Sequence, residues 1–200
     1  MRALLGLLSG VLIFTAACSS EPSPGLAPVP TDLPSPCEKQ DPPPAGHTDA
    51  PELFIVTITS GGWSPNQEVG PRLVVYTDRN AVERPDAVAQ PTGAEAPAPP
   101  QAGYLAQCIV DQAILDVREL EQTDFGQPGI TDQGSNVIEY RPASPSDPIR
   151  LDIYAPGETD GLTDAQLEAR EKFTALQNLL LDGFVETGPA TNAPSTSPGR

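Results

Sequence analysis

The spacing of apolar and polar residues changes character twice along the chain. Ala3 to Ala17 is an almost unbroken apolar run behind Met1-Arg2. A basic start, an apolar stretch and small residues ahead of a cut form the layout of a secretory signal peptide. The run falls short of the roughly 20 apolar residues needed to span a bilayer. From 18 to 52 large apolar residues are sparse, and prolines recur at 22, 24, 28, 30, 34 and 36 and as Pro42-Pro43-Pro44. Such a segment favours extended polyproline II and reads as a semi-rigid tether. From 53 to 184 the pattern becomes periodic, and a folded domain is expected there.

Within 53–184 the strand signals come first. Leu53-Phe-Ile-Val-Thr-Ile-Thr59 is rich in β-branched residues and ends at Gly61-Gly62, which predicts a strand. Arg72 to Thr77 predicts a second, turning at Asp78-Arg79-Asn80 with a short return through Val82. Residues 85–102 are poor in core formers and predict an exposed loop, longer than compact domains usually carry without function or disorder. Tyr104 to Val110 predicts a third strand that carries Cys108, followed by a helix at 111–122 with Val110, Ile114, Val117 and Leu120 at helical spacing. Asn136–Arg141 and Ile149–Tyr154 predict a hairpin. Ile149, Leu151 and Ile153 share one face of its second arm, as in a sheet with one packed and one wet side.

The last helix has the fullest local signature. Thr163 and Gln166 form a capping box, and Leu162 and Leu167 flank it as a staple. Ala165, Ala169, Phe173, Leu176, Leu180 and Phe184 make one apolar stripe. Glu168 and Lys172 stand four apart in the favourable order, and Asp182-Gly183 is a stop. Residues 185–200 are polar and contain proline, and they predict a disordered tail. The expected fold class is therefore α+β, a small antiparallel sheet of about four to five strands with two helices packed on one face.

Charge narrows the partners. The formal net charge is −16, with 27 acidic against 11 basic residues. Removing residues 1–17 takes away one charge, Arg2, so the mature chain stands at −17. Such a surface repels phosphate backbones and anionic headgroups, which argues against nucleic acid as a partner. Of the three cysteines, Cys18 follows the signal directly. That leaves Cys37 and Cys108, an even number in an oxidising compartment, and they are expected to pair.

Candidate chemistry is thin, and no catalytic residue, metal ligand or cofactor site is assigned. The single histidine, His47, lies in the tether, a poor place for a positioned base. Cys-x-x-Cys spacing is absent and no second histidine exists for zinc. Asp116, Glu119 and Glu121 are read as the wet face of a helix, the alternative being a carboxylate-only or metal-assisted hydrolase. Asp124, Thr131, Asp132 and Asn136 put oxygens into a glycine-containing connection without EF-hand spacing, and turn formation accounts for them. Gly61-Gly62 lacks the remainder of a phosphate loop. Trp63 has two readings, an exposed recognition anchor or a cover for one edge of the core.

Thr15-Ala16-Ala17-Cys18 resembles the lipobox of bacterial lipoproteins, although Thr15 stands where leucine is usual. The resemblance implies a diacylglyceryl group on the Cys18 sulfur and a cut just before it. Val75-Tyr-Thr-Asp78, Asp124-Phe-Gly-Gln-Pro-Gly-Ile-Thr-Asp132, Leu151-Asp-Ile-Tyr154 and Gly161-Leu-Thr-Asp-Ala-Gln-Leu167 extend it. In their order, from Leu53 to about Phe184, the chain resembles uncharacterised actinobacterial cell-envelope lipoproteins. Arg79-Asn80 departs from the tight Asp-Gly turn usual there. The resemblance implies an extracytoplasmic place and no activity. The expectation is a protein held on the outer face of the membrane through lipid on Cys18. It would present a domain for non-enzymatic binding of an envelope protein or ligand, or serve as a structural wall-associated protein.

Overall fold

The computed structural model describes residues 42–43, 50–61, 70–87, 98–143 and 146–190. The elements are β1 (Glu52–Ile58), β2 (Leu73–Tyr76), β3 (Asn80–Glu83), β4 (Gln101–Leu105), α1 (Gln107–Leu120), β5 (Ser135–Tyr140), β6 (Ile149–Tyr154), α2 (Asp164–Asp182) and β7 (Phe184–Pro189). The strands form one seven-stranded sheet in the order β6-β5-β1-β2-β3-β4-β7, with every pairing antiparallel. The fold is α+β, with a wider sheet than the four to five strands expected. Two connections cross it: α1 links β4 to β5 over three intervening strands, and α2 carries the chain from one edge strand to the other.

Alternation along each strand decides the core. Phe54 and Val56, Leu73 and Val75, Leu105, Ile138, and Leu151 and Ile153 are all buried, as are Val110, Ala113, Val117 and Leu120 of α1 and Ala169, Phe173, Leu176 and Leu180 of α2. They form one cluster between the helices and one face of the sheet. Phe54 packs on Tyr140 at 5.1 Å, and Phe125 meets Phe173 edge-on at 5.7 Å. The stripe read from α2 lies in this core at 169, 173, 176 and 180, whereas Ala165 is exposed.

Local signals placed α2 well. Thr163 Oγ1 accepts from Gln166 N at 3.3 Å, and Gln166 Oε1 accepts from Thr163 N at 2.9 Å, so the capping box forms. Gly183 is the C-cap and donates its N–H to Leu179 O at 3.1 Å; a Cβ there would lie 2.6 Å from Leu179 O and 2.9 Å from Ile109, so the close approach favours glycine. Two boundaries differ from expectation. The third strand covers 101–105 rather than 104–110, and α1 starts at Gln107 rather than 111. Ala106 is its N-cap and makes no side-chain cap bond, so no polar capping residue marks the start.

The tail expected over 185–200 is corrected at its start, and 191–200 lie outside the described residues. Phe184–Pro189 is strand β7, paired with β4 from Leu105↔Phe184 to Gln101↔Pro189. An edge strand is held by backbone bonds and buries little side chain, so its composition reads as a tail. Residues 101–102 of the expected 85–102 loop are likewise in β4, and 88–97 lie outside the described residues.

The β2–β3 turn explains the departure at Arg79. Arg79 N donates to Tyr76 O at 2.9 Å, and Asn80 N donates to Asp78 Oδ1 at 3.1 Å. Arg79 takes φ 71°, the left-handed position of a three-residue hairpin loop that favours glycine. A Cβ there costs about 1 kcal/mol. Arg79→Gly should therefore stabilise the fold by about 0.5 kcal/mol or more. The check is the urea midpoint at unchanged slope, and an unmoved or lowered midpoint would refute the assignment.

Candidate functional site

The sheet face turned away from the helices divides into a charged half and an apolar half. On β1, β5 and β6 an ion ladder runs across the strands. Arg150 reaches Glu139 at 2.6 Å and Asp152 at 3.1 Å, and Arg141 reaches Glu139 at 2.9 Å and also pairs with Glu52. The Glu139↔Arg150 register puts the central pair directly opposite. These partners are part-exposed, so the pairs steer pairing and solubility more than they stabilise.

The apolar half follows from the register of four strands. Ile55 pairs with Val74, Val74 with Val82 and Val82 with Ala102, making one row. Beside it Tyr104 pairs with Asn80, and Tyr76 stands across the turn on the same face. All of these side chains are half-buried, while Val185, opposite Tyr104 on β7, is 45% exposed. Burial, and then the nearby Glu52 carboxylate, raise the Tyr76 hydroxyl above its ordinary value. This is a broad apolar band bordered by two phenols, each able to donate or accept a hydrogen bond.

A second assembly lies at the start of α2. Arg170 is only 5% exposed. Its guanidinium donates to Phe125 O at 2.8 Å, Ala155 O at 3.0 Å and Tyr154 O at 2.7 Å, with longer contacts of 3.5 Å to Glu158 O and Gly126 O. No carboxylate pairs with it among the described residues, and burial lowers its pKa from the ordinary value. It remains charged at neutral pH. Asp124 accepts from Gly126 N at 2.8 Å and from Gln166 Nε2 at 2.9 Å. The backbone bond first, and the Gln166 bond second, hold its pKa below the usual carboxylate value. Pro128, Gly129, Ile130, Glu158, Asp160 and Gly161 line an open depression of about 440 Å³ beside these loops.

The residues singled out in the sequence do not gather into a catalytic set. Asp116 accepts from Gln112 at 2.7 Å, and Glu119 pairs with Lys172 at 3.0 Å. Glu119 and then Glu168 raise the Lys172 pKa. Asp124 is committed to its loop and to α2, while Asn136 donates to Gln177 at 2.8 Å, so these two do not converge on a cation. Among the described residues no group of three or more His, Cys, Asp or Glu could hold a metal. Cys108 lies in the first turn of α1, half-buried, and is not a free thiol. Cys18, Cys37, His47 and Trp63 lie outside the described residues. No described helix is long and apolar enough to cross a membrane.

Reading the sequence missed Arg170 and the Tyr76–Tyr104 row. Arg170 had a signal: it shares a helical face with Phe173, Gln177 and Leu180 at spacings of three, seven and ten, which predicts a buried polar side chain in need of partners. No family model, curated protein or solved structure matches the chain.

Proposed function

We propose that this is a lipid-anchored protein of the cell envelope whose domain acts as a non-enzymatic binding module. The observation that carries the reading is the order of parts: an apolar signal at 1–17, Cys18 at the cut, a proline-rich tether, and then a separate folded domain. A lipid on Cys18 holds the chain on the outer face of the membrane, and two acyl chains suffice for stable anchoring where one is marginal. The tether sets the reach of the domain, and Cys37 paired with Cys108 secures its inner end. The domain supplies a broad half-apolar sheet face, and Trp63 and the segment expected as the 85–102 loop are further candidate contacts for an envelope protein or ligand. An acidic surface keeps the domain clear of anionic headgroups.

The test is the intact mass of the protein from the membrane fraction, before and after reduction, beside Cys18→Ala. The expected result is a chain beginning at Cys18 with added acyl mass, a gain of two hydrogens on reduction, and release of Cys18→Ala into the soluble fraction. An unlipidated chain cut elsewhere would refute the anchor. An unchanged mass on reduction would refute the disulfide.

A further inference from the structure

We infer that the free edge of β6 is a self-pairing surface, on which two copies of the domain join antiparallel about a two-fold axis at Leu151. β6 ends the sheet order on one side. The register decides which of its backbone groups point off that edge. Thr59 N donates to Ser135 O and Arg141 N donates to Leu53 O, both at 2.8 Å, so the odd-numbered residues of β5 bond to β1. The even-numbered ones bond to β6, where they stand opposite Ile153, Leu151 and Ile149. Ala155 N donating to Gly134 O at 2.8 Å continues the same series. Antiparallel ladders alternate in this way, so the N–H and C=O groups of Arg150 and Asp152 face outward.

Charge selects both the partner and the register. Edge strands are commonly blunted by charges that repel another strand. β6 instead carries one charge of each sign, Arg150 and Asp152, with side chains 54% and 43% exposed. Against a second β6 centred on Leu151, Arg150 of each copy lies opposite Asp152 of the other, and the two pairs exchange four backbone bonds. A slide of two residues keeps the bonding groups aligned but sets Arg150 against Arg150 or Asp152 against Asp152. The next positions out match as well, where Tyr154 of one copy lies opposite Pro148 of the other. Tyr154 O is already held by Arg170 at 2.7 Å, and proline has no N–H to offer it. The bond this register lacks is one that neither group needs.

The opposite edge does not offer this match. β7 has Glu186 as its one charged residue, so nothing on it is complementary to itself. Pairing β6 of one copy with β7 of the next would leave an edge free at both ends and build an open filament. The β6–β6 contact is isologous and closes, joining two seven-stranded sheets into one. A contact made by one six-residue strand falls below the roughly 1,200 Å² of a stable interface. The dimer is therefore weak, with a dissociation constant of about 0.1–1 mM.

The test is sedimentation equilibrium of the mature chain carrying Cys18→Ala, from about 10 µM to about 1 mM at low salt. Asp152→Arg sets arginine against arginine across the contact and should weaken dimerisation about tenfold or more. Glu186→Arg makes the same charge change on β7 and should leave dimerisation in place. Arg150→Asp should weaken it like Asp152→Arg, yet an equimolar mixture of these two chains should dimerise again, because each acid then faces an arginine. A chain that stays monomeric throughout the range would overturn the inference. So would a dimer that survives Asp152→Arg, which would move the contact to another surface, or a mixture of the two folded variants that stays monomeric. Amide exchange of the chain without edge substitutions gives a reading that needs no charge variant. The Arg150 and Asp152 amides should slow about threefold from the bottom to the top of the range, while the Leu151 amide, bonded to β5, should not. Equal rates for Arg150 and Asp152 at both concentrations would overturn the inference.

Discussion

Arg170→Met is expected to cost about 3–4 kcal/mol of folding stability, the largest loss from any single polar side chain of the domain. Arg170 joins two separate pieces of chain to α2: the 125–126 turn, and the end of β6 with the 155–158 turn that follows it. Three of its bonds are 3.0 Å or shorter. Removing the guanidinium takes a donor from the Phe125 and Tyr154 carbonyls in a largely buried site, while Ala155 O keeps Glu158 N at 3.0 Å; each unsatisfied buried acceptor costs about 1–3 kcal/mol. It also releases Ala155, a buried non-glycine residue held at φ 48° whose carbonyl is one of the acceptors. Methionine fills similar volume, so the loss reports the hydrogen bonds rather than a cavity. Arg170→Lys keeps the charge with fewer donors and no planar fork, and should fall between wild type and Arg170→Met. Urea unfolding measures both variants. A cost for Arg170→Met below about 1 kcal/mol, the net worth of one ordinary hydrogen bond, would show that the carbonyls are satisfied without it.

The contrast between α2 and the sheet shows where a sequence speaks about this fold. Thr163, Gln166 and the stripe from Ala169 to Leu180 are fixed by contacts within a few residues, and they formed as read. The β5–β6 hairpin and the shared face of Ile149, Leu151 and Ile153 were legible for the same reason. Strand β7 was not, because its partner β4 lies some eighty residues earlier and its bonds are backbone bonds that leave no mark on composition. The apolar half of the candidate face was half legible. Alternation puts Tyr76 with Val74 and Tyr104 with Ala102, but only the order β2-β3-β4 brings both phenols to one row. Arg170 shows the limit from the other side. Its place on the buried face is readable, while its acceptors are carbonyls, a group that every residue owns and none advertises.

Gly134→Ala should be nearly as damaging, for a reason that lies in the backbone. A Cβ at position 134 would fall 1.8 Å from Thr59 O, 2.7 Å from Thr59 C and 2.9 Å from Ser60 C. No side chain there can rotate away, so a strand must move. The strands concerned are locked: Thr59 N donates to Ser135 O at 2.8 Å, Ser135 N donates to Thr59 Oγ1 at 2.7 Å, and Ala155 N donates to Gly134 O at 2.8 Å. Displacing Gly134 therefore frays β5 from β1 and loosens the start of the 155–158 turn that Arg170 holds. Overpacking of this kind costs about 3 kcal/mol, or a fall in Tm of roughly 10 °C for a domain of this size. Gly157→Ala is the matched control, since no atom lies within 4 Å of the Cβ it would add. Thermal unfolding of the pair decides the matter. Equal midpoints would mean that the 59–61 segment yields to a methyl group, and the close approach at Gly134 would then be no constraint on the sheet. Because Gly134 and Arg170 meet through Ala155, the double variant should lose less than the two single losses added together.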